Sequence, residues 1–309
     1  MPDVMAAGEI FVDLILSGFD SLPEAGKECF AREFHREIGG GAPITACALA
    51  RLGTRAGVFG FVGEDAGPWL TDQLRRCGVE VSAVRLDARE PTAFTVVATT
   101  PCDRAFFTYP GANRRFPAAL AEAAAGGQFQ GVRHVHLACA PDPGTLAELL
   151  GALRRNGCSI SLDAGWHEEW LRDPRVMAAL PALDLFFPNE VEAREMTGEA
   201  DPARALRRFA AEGAGKVALK LGPRGAALLW DGEIRFALPP PVAPVDTTGA
   251  GDCFDAGFLH AWLRGAAPDL CLRTAVICGA LSTEAYGGIS GSPDAERLER
   301  ELERQTCEK

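Results

Sequence analysis

The run Leu238-Pro-Pro-Pro-Val-Ala-Pro-Val245 constrains this chain more than any other stretch. Each proline removes a backbone donor and restricts the residue before it, so regular helix is excluded there. Next come Asp246-Thr-Thr-Gly-Ala-Gly-Asp252 and a helical pattern with Phe254, Phe258, Ala261 and Trp262 on one face and Gly265 placed to stop it. A rigid extended segment therefore turns through Gly249, Ala250 and Gly251 into a helix whose first turn carries Asp252. Glycines let the backbone approach a ligand closely, and the free N–H groups of a helix start make an anion site. A carboxylate beside such a site would repel the anion. The placement makes chemical sense where a hydroxyl must lose its proton while attacking a bound phosphoryl group, and Asp252 should then stay ionised. The plainer alternative is a glycine-rich loop with Asp252 favoured by the helix dipole. The loop alone leaves both open.

The 309 residues, 47% of them hydrophobic, allow one α/β domain or two smaller ones. A net charge of -11 argues against a nucleic-acid surface. Ten cysteines are scattered without a CxxC pair, which reads as reduced, mostly buried thiols inside a cell. The first ten residues contain Asp3 and Glu9 and do not resemble a signal peptide, and no apolar run approaches membrane-spanning length. The expectation is a soluble, cytoplasmic protein.

Taken in order, residues 4–7 and 10–16 read as one strand broken near its end by Gly8 and Asp13. Asp13 is either a turn residue or a ligand contact at the carboxyl edge of a sheet. Residues 27–37 read as an exposed strand. Gly39-Gly40-Gly41-Ala-Pro43 opens a helix over 44–52 closed by Gly53, and a glycine triplet there favours a close ligand approach. Strands are expected over 56–62 and 79–86 around a helix at 67–76, then a hairpin over 92–100 and 104–108 out of step with the βα alternation. Alternation resumes after Asn113: strands over 132–137, 158–162, 183–187, 216–221 and 226–230, and helices over 144–155, 190–196, 202–211, 269–285 and 295–304. Repeated βα units imply a mostly parallel sheet with helices on both faces, and the two out-of-step groups imply a small sheet at one edge. His134 and His136 share a strand face without a third ligand and read as structural; Cys253 reads as packing. No GxxxxGK[ST] loop, full dinucleotide fingerprint, GxSxG elbow or HExxH is present.

Four ordered motifs carry a resemblance. Asp246-Thr-Thr-Gly-Ala-Gly-Asp252 resembles the C-terminal signature of the ribokinase-like (PfkB) carbohydrate kinases, and Gly39-Gly40 through Ala50-Arg-Leu-Gly53 their N-terminal signature. Pro188-Asn-Glu-Val-Glu192 matches their NxxE motif, and Leu219-Lys-Leu-Gly-Pro-Arg-Gly225 their nucleotide-side strand and turn. The resemblance implies a three-layer α/β/α fold over 1–309 as a single domain, with lid strands from about 10–38 and 90–113. It implies transfer of the γ-phosphoryl of ATP to a hydroxyl, with Asp252 as base and Gly249, Ala250 and Gly251 as the anion hole. Asn189 and Glu192 also form a capping-box pattern; the resemblance adds a Mg²⁺-bound water on Glu192. It places Asn189, Lys220, Gly222, Gly225, Thr248 and Gly279 on the nucleotide side. Asp13, Gly39, Gly40, Gly41 and Asn113 fall on the sugar side. Asp163, with Trp166 and Trp170, resembles a frame of some sugar-acid kinases whose usual asparagine and arginine are missing, and Trp166 is alternatively core. Arg104 in the hairpin either meets a polar substrate or is simply exposed. Asp246 and Thr248 match a monovalent-cation loop, which adds an ion such as K⁺. Ile44 and Thr45 stand where many relatives carry an asparagine, leaving the sugar open. The resemblance thus implies a kinase for a sugar-like alcohol, using ATP and Mg²⁺. Two alternatives are kept: a nucleoside kinase with Phe106 or Tyr109 lining its pocket, and a non-catalytic ligand-binding regulator. Exposed lid strands invite a homodimer.

Overall fold

The computed structural model describes residues 1–100 and 104–307. Its strands are β1 (Val4–Gly8), β2 (Phe11–Ser17), β3 (Glu33–Gly39), β4 (Ala56–Gly63), β5 (Val84–Asp87), β6 (Phe94–Thr99) and β7 (Arg104–Tyr109). They continue with β8 (His134–Ala138), β9 (Ser159–Asp163), β10 (Leu185–Phe186), β11 (Lys216–Lys220), β12 (Ala226–Trp230) and β13 (Glu233–Ala237). Nine form one sheet in the order β13-β12-β11-β10-β9-β8-β1-β4-β5, parallel except for the antiparallel β11-β12-β13 edge. The other four form a separate small sheet in the order β3-β2-β6-β7. The protein is α/β, as the repeated βα units require.

Strand alternation sends successive side chains into two apolar layers. From β1, Val4 and Ala6 join the layer holding Leu49, Leu70, Phe258 and Leu272, whereas Met5 and Ala7 join the one holding Phe116, Leu120, Phe129 and Leu150. The helices Gly41–Arg51 and Ala250–Trp262 pack in the first layer, and Phe116–Ala125 and Leu146–Arg155 in the second. Among the described residues no helix is long and apolar enough to cross a membrane.

Several sequence expectations change. Residues 4–16 are two strands in two sheets, separated at Glu9 and Ile10, because Asn113 clamps the Ile10 backbone from both sides: its Oδ1 accepts from Ile10 N (3.2 Å) and its Nδ2 donates to Ile10 O (3.1 Å). Only Val84–Asp87 of the expected strand 79–86 is strand, with Glu80 making a single bridge to Gly57. The strand expected over 27–37 runs Glu33–Gly39. The helix Phe116–Ala125 and strand β13 had no counterpart in the sequence reading; the first is almost wholly Ala, Leu and Phe, which carries no amphipathic signal.

β1 is where the chain order reverses: its neighbours are β4 on one side and β8 on the other. In open α/β sheets ligands bind beyond the carboxyl ends of strands at such a point. Gly8, Ala138, Asp163 and Lys220 close β1, β8, β9 and β11 there, and the small sheet begins directly after β1.

Candidate active site

The glycines show what meets above this edge. A Cβ on Gly39 would fall 2.2 Å from Asp13 Oδ1, and one on Gly41 would fall 2.7 Å from Asp252 Oδ1. Gly40 has φ +94° and lies so close to the Glu9 carbonyl that a Cβ would sit 2.2 Å from it. The glycine triplet is therefore packed against two carboxylates, Asp13 on one side and Asp252 on the other. Only residues without a Cβ allow that approach.

Asp252 lies in the first turn of the helix Ala250–Trp262. Gly249 precedes it in the left-handed region (φ +73°), where a Cβ would clash with Gly288 Cα at 2.5 Å. Among the described residues no side chain caps this helix, and Ala250 N reaches Thr247 O at 3.3 Å. Asp246 shapes the approach: its Oδ1 accepts from Thr248 N (2.9 Å) and Thr248 Oγ1 (2.8 Å), and its Oδ2 from Gly287 N (3.0 Å).

Lys220 lies beside the same turn, with Nζ 3.4 Å from where a Gly251 Cβ would be. It pairs with Asp163 Oδ2 (2.6 Å) and Asp255 Oδ1 (3.3 Å). Asn189 and Glu192 form a complete capping box at the helix Glu190–Thr197, and Glu192 Oε2 accepts from Asn189 N at 2.8 Å. Gly222 (φ +57°) and Gly225 (φ +87°) bracket the turn after β11; Gly225 abuts the Ala237 carbonyl, where a Cβ would sit 2.0 Å away.

Carboxylates crowd this cleft. Burial, reinforced by Asp163, pushes Asp252 up to about 7, and burial with Asp246 and Glu37 pushes Asp13 up to about 7. The helix start does not keep Asp252 fully ionised near neutral pH, because desolvation outweighs it. Glu192 is likewise raised, by burial first and then by Asp163. Asp163 moves the other way: Lys220 overcomes the burial that would raise it.

The other expected positions have partners of their own. The Asn113 amide group serves the Ile10 backbone, not an open pocket, and is 2% exposed. Gly279 is a contact between helices, facing the Ala250 carbonyl at 3.0 Å from a would-be Cβ. Ile44 packs on Gly249 and Gly288, and Thr45 Oγ1 reaches Asp252 O at 3.4 Å, so neither tells which acceptor the cleft takes. Trp166 is exposed, not core; Trp170 is the buried one, donating from Nε1 to Pro141 O at 2.6 Å. Tyr109 lies on the face of the small sheet opposite Asp13, tilted against Phe94. Arg104 begins β7, but its side chain lies outside the described residues. Cys253 is buried and bonded to Gly288 O (3.1 Å), its thiol pushed up to about 12 by burial and Asp252.

Asp255 is the residue that sequence reasoning missed. It is fully buried, one turn after Asp252, and pairs with Lys220. The signal was a charged residue at i+3 from Asp252 inside a helix otherwise apolar on that side.

Residues 1–295 match the family described as pfkB family carbohydrate kinase. A fructokinase from Klebsiella pneumoniae is 32% identical over 282 residues, covering 85% of this chain and 91% of that protein. A nucleoside kinase from Methanothermobacter thermautotrophicus is 30% identical over 296 residues, covering 94% and 93%. The structure of Arabidopsis thaliana ribokinase complexed with ribose and ATP aligns with a TM-score of 0.84 at 27% identity, covering 97% of this chain and 98% of that one. The matching motifs converge on one cleft and the family match spans nearly the whole sequence: the chain belongs to the pfkB family of carbohydrate kinases.

Proposed function

We propose that the protein transfers the γ-phosphoryl group of ATP to a hydroxyl of a sugar or sugar-like alcohol, with Asp252 as general base. The observation that carries this is the convergence of Asp13 and Asp252 on the Gly39–Gly41 backbone, beside an uncapped helix start. Asp13 accepts acceptor hydroxyls, and the Gly39–Gly41 backbone lies close against the sugar. Asp252 takes the proton of the attacking hydroxyl as charge builds on the phosphoryl group. The amides of Gly249, Ala250 and Gly251, with Lys220, face that charge. Such transfer needs positioning and electrostatics more than covalent chemistry, and these groups supply both.

Among the described residues no cluster of three His, Cys, Asp or Glu could hold a metal. The donor set fits a Mg²⁺ held mainly by nucleotide phosphates and water. Each Glu192 oxygen accepts from Asn189, leaving lone pairs for a metal-bound water. When bound, the ion would neutralise phosphate charge. Asn189, the Gly222–Gly225 turn and Thr248 border the nucleotide. A K⁺ beside Asp246 and Thr248 belongs to the same reading; Li⁺ substitution should then lower kcat. The small sheet acts as a lid within one kinase unit spanning 1–309. The eight cysteines whose side chains are described are all free, which fits a reducing cytoplasm.

ADP release with ATP and Mg²⁺ across free sugars, sugar acids, sugar phosphates and nucleosides tests the reading; one strong sugar acceptor supports it. One observation favours a nucleoside acceptor instead. The pairing register puts Phe106 on the Asp13 face of the small sheet, 58% exposed, where a base could stack. Nucleosides outrunning every sugar would choose that alternative. Ligand binding without turnover across the whole panel would leave a binding regulator.

A further inference from the structure

Behind the first turn of the helix Ala250–Trp262, polar groups form a line along one face of the sheet. The Ser159 hydroxyl donates to Arg133 O (3.0 Å), and Ser159 Oγ lies 2.8 Å from His134 Nδ1. His134 Nε2 lies 2.7 Å from Ser161 Oγ, which lies 2.8 Å from His136 Nδ1. His136 Nε2 then faces Asp255 Oδ2 at 3.8 Å, and Asp255 Oδ1 faces Lys220 Nζ at 3.3 Å. His134, Ser161, His136 and Asp255 are all 0% exposed.

The hydrogens can be followed along this line. A serine hydroxyl has one hydrogen, and Ser159 directs it to Arg133 O. The hydrogen between Ser159 and His134 must then come from Nδ1. A neutral imidazole carries one N–H, so His134 Nε2 is a lone pair that accepts from Ser161. Ser161 has no second hydrogen and accepts from His136 Nδ1. That leaves a lone pair on His136 Nε2, turned toward Asp255. The reverse polarity would put an N–H on His136 Nε2, which has no hydrogen-bond partner among the described residues. An orphaned buried N–H is the rarer and costlier case. An imidazolium is worse, since burial pushes His136 down to about 4.

A lone pair facing an ionised carboxylate sets two acceptors against each other. A carboxylic acid removes that repulsion, and although Nε2 at 3.8 Å is too far to take its hydrogen, Asp163 is an acceptor within hydrogen-bond reach of Asp255. We infer that Asp255 works as a neutral carboxylic acid, holding Lys220 through an uncharged oxygen so that the lysine keeps its charge for Asp163 and for the phosphoryl group. Asp255 is thus a positioning residue that acts through Lys220, an inference resting on the reading of the Gly249–Gly251 amides as the phosphoryl site. Four groups face it: Lys220 from β11, Asp163 from β9, His136 from β8, and Asp252 one turn earlier on its own helix. Were Asp255 ionised, one lysine would meet two carboxylates, and a net negative charge would stand beside an incoming anion. Burial raises the Asp255 carboxyl well above its ordinary range despite Lys220, which agrees with the neutral form.

The test is ¹⁵N NMR of histidine-labelled protein, with His136→Asn to assign the signal among five histidines. His136 should be neutral with its proton on Nδ1 at neutral pH, and infrared spectra should show a protonated carboxyl band that Asp255→Asn removes. An Nε2–H tautomer, an imidazolium, or no such band overturns the inference. Kinetics adds a second arm. Asp255→Asn keeps an uncharged oxygen toward Lys220, whereas Asp255→Leu removes it, so kcat of the Leu variant should fall at least about tenfold below that of the Asn variant, with similar KM for ATP. Equal losses in both variants overturn it. The spectra do not depend on turnover, so failure of the phosphotransfer reading would appear as absent ADP release with the His136 signals intact.

Discussion

Asp252 meets two conflicting demands: a base must be ionised to accept a proton, yet this carboxyl is buried among others. Asp252→Asn should lower kcat by roughly 10²–10⁴-fold while ATP binding, measured by calorimetry, changes little. A variant with near-normal turnover would remove the base from the mechanism. Because Asp252 and Asp13 are each raised to about 7, kcat/KM should fall as pH drops below about 7, the base being protonated there. Asp13 contributes to raising Asp252. Asp13→Asn should therefore shift the acidic limb of the pH profile to lower pH, alongside any weaker acceptor binding. The sign for stability is opposite to that for activity. A carboxyl raised on folding keeps its proton in the folded chain where the unfolded chain has lost it, so the unliganded fold loses stability as pH rises from the ordinary carboxylate range through about 7. Asp252→Asn should accordingly raise the melting temperature near pH 8, and the gain should shrink toward about pH 5. Calorimetry across that range, showing no gain at the higher pH, would refute the assigned cost of ionising this group.

The helices Gly41–Arg51 and Ala250–Trp262 lie side by side, Thr45 reaching Asp252 near their starts and Thr54 reaching His260 near their ends, and their glycines separate packing from chemistry. Gly41→Ala places a methyl 2.7 Å from Asp252 Oδ1 at a position where helix geometry accepts alanine. It should lower kcat/KM by about tenfold or more with the melting temperature nearly unchanged. Gly249→Ala instead meets backbone at 2.5 Å with φ +73°, and should cost about 1–3 kcal/mol of stability as well as activity. Behind them Phe258 is fully buried, edge-on to Phe187 at 5.4 Å and tilted against Trp230 at 6.4 Å. Phe258→Ala should cost about 3–5 kcal/mol in chemical denaturation, whatever the acceptor.

At the scale of the molecule, the small sheet has two open edges, β3 and β7, and exposes Phe34 and Phe107 on its face away from Asp13. We expect two copies to associate there, giving twice 32.8 kDa by sedimentation, with Phe107→Asp shifting the mass to the monomer. A wild-type monomer would end that expectation. His35 stacks on Tyr286 at 5.0 Å, so the same sheet touches the loop behind Gly249. Much of this was legible in the residues alone, because the features are local. Proline excludes helix at 239–244, Gly249 tolerates the left-handed turn, the Asn189–Glu192 spacing writes a capping box, and Gly265 ends its helix. The βα alternation likewise specified a mostly parallel sheet, since each period reflects which face must be buried. What depends on distant pairs was decided only by the tertiary structure. Asn113 splits residues 4–16 into two sheets from about a hundred positions away, Ile44 turns to Gly249 instead of the acceptor, and Asp255 finds Lys220 and His136 from three different elements. Desolvation is also tertiary: the dipole argument for an ionised Asp252 is a property of one helix, whereas its rise to about 7 comes from everything packed around that helix.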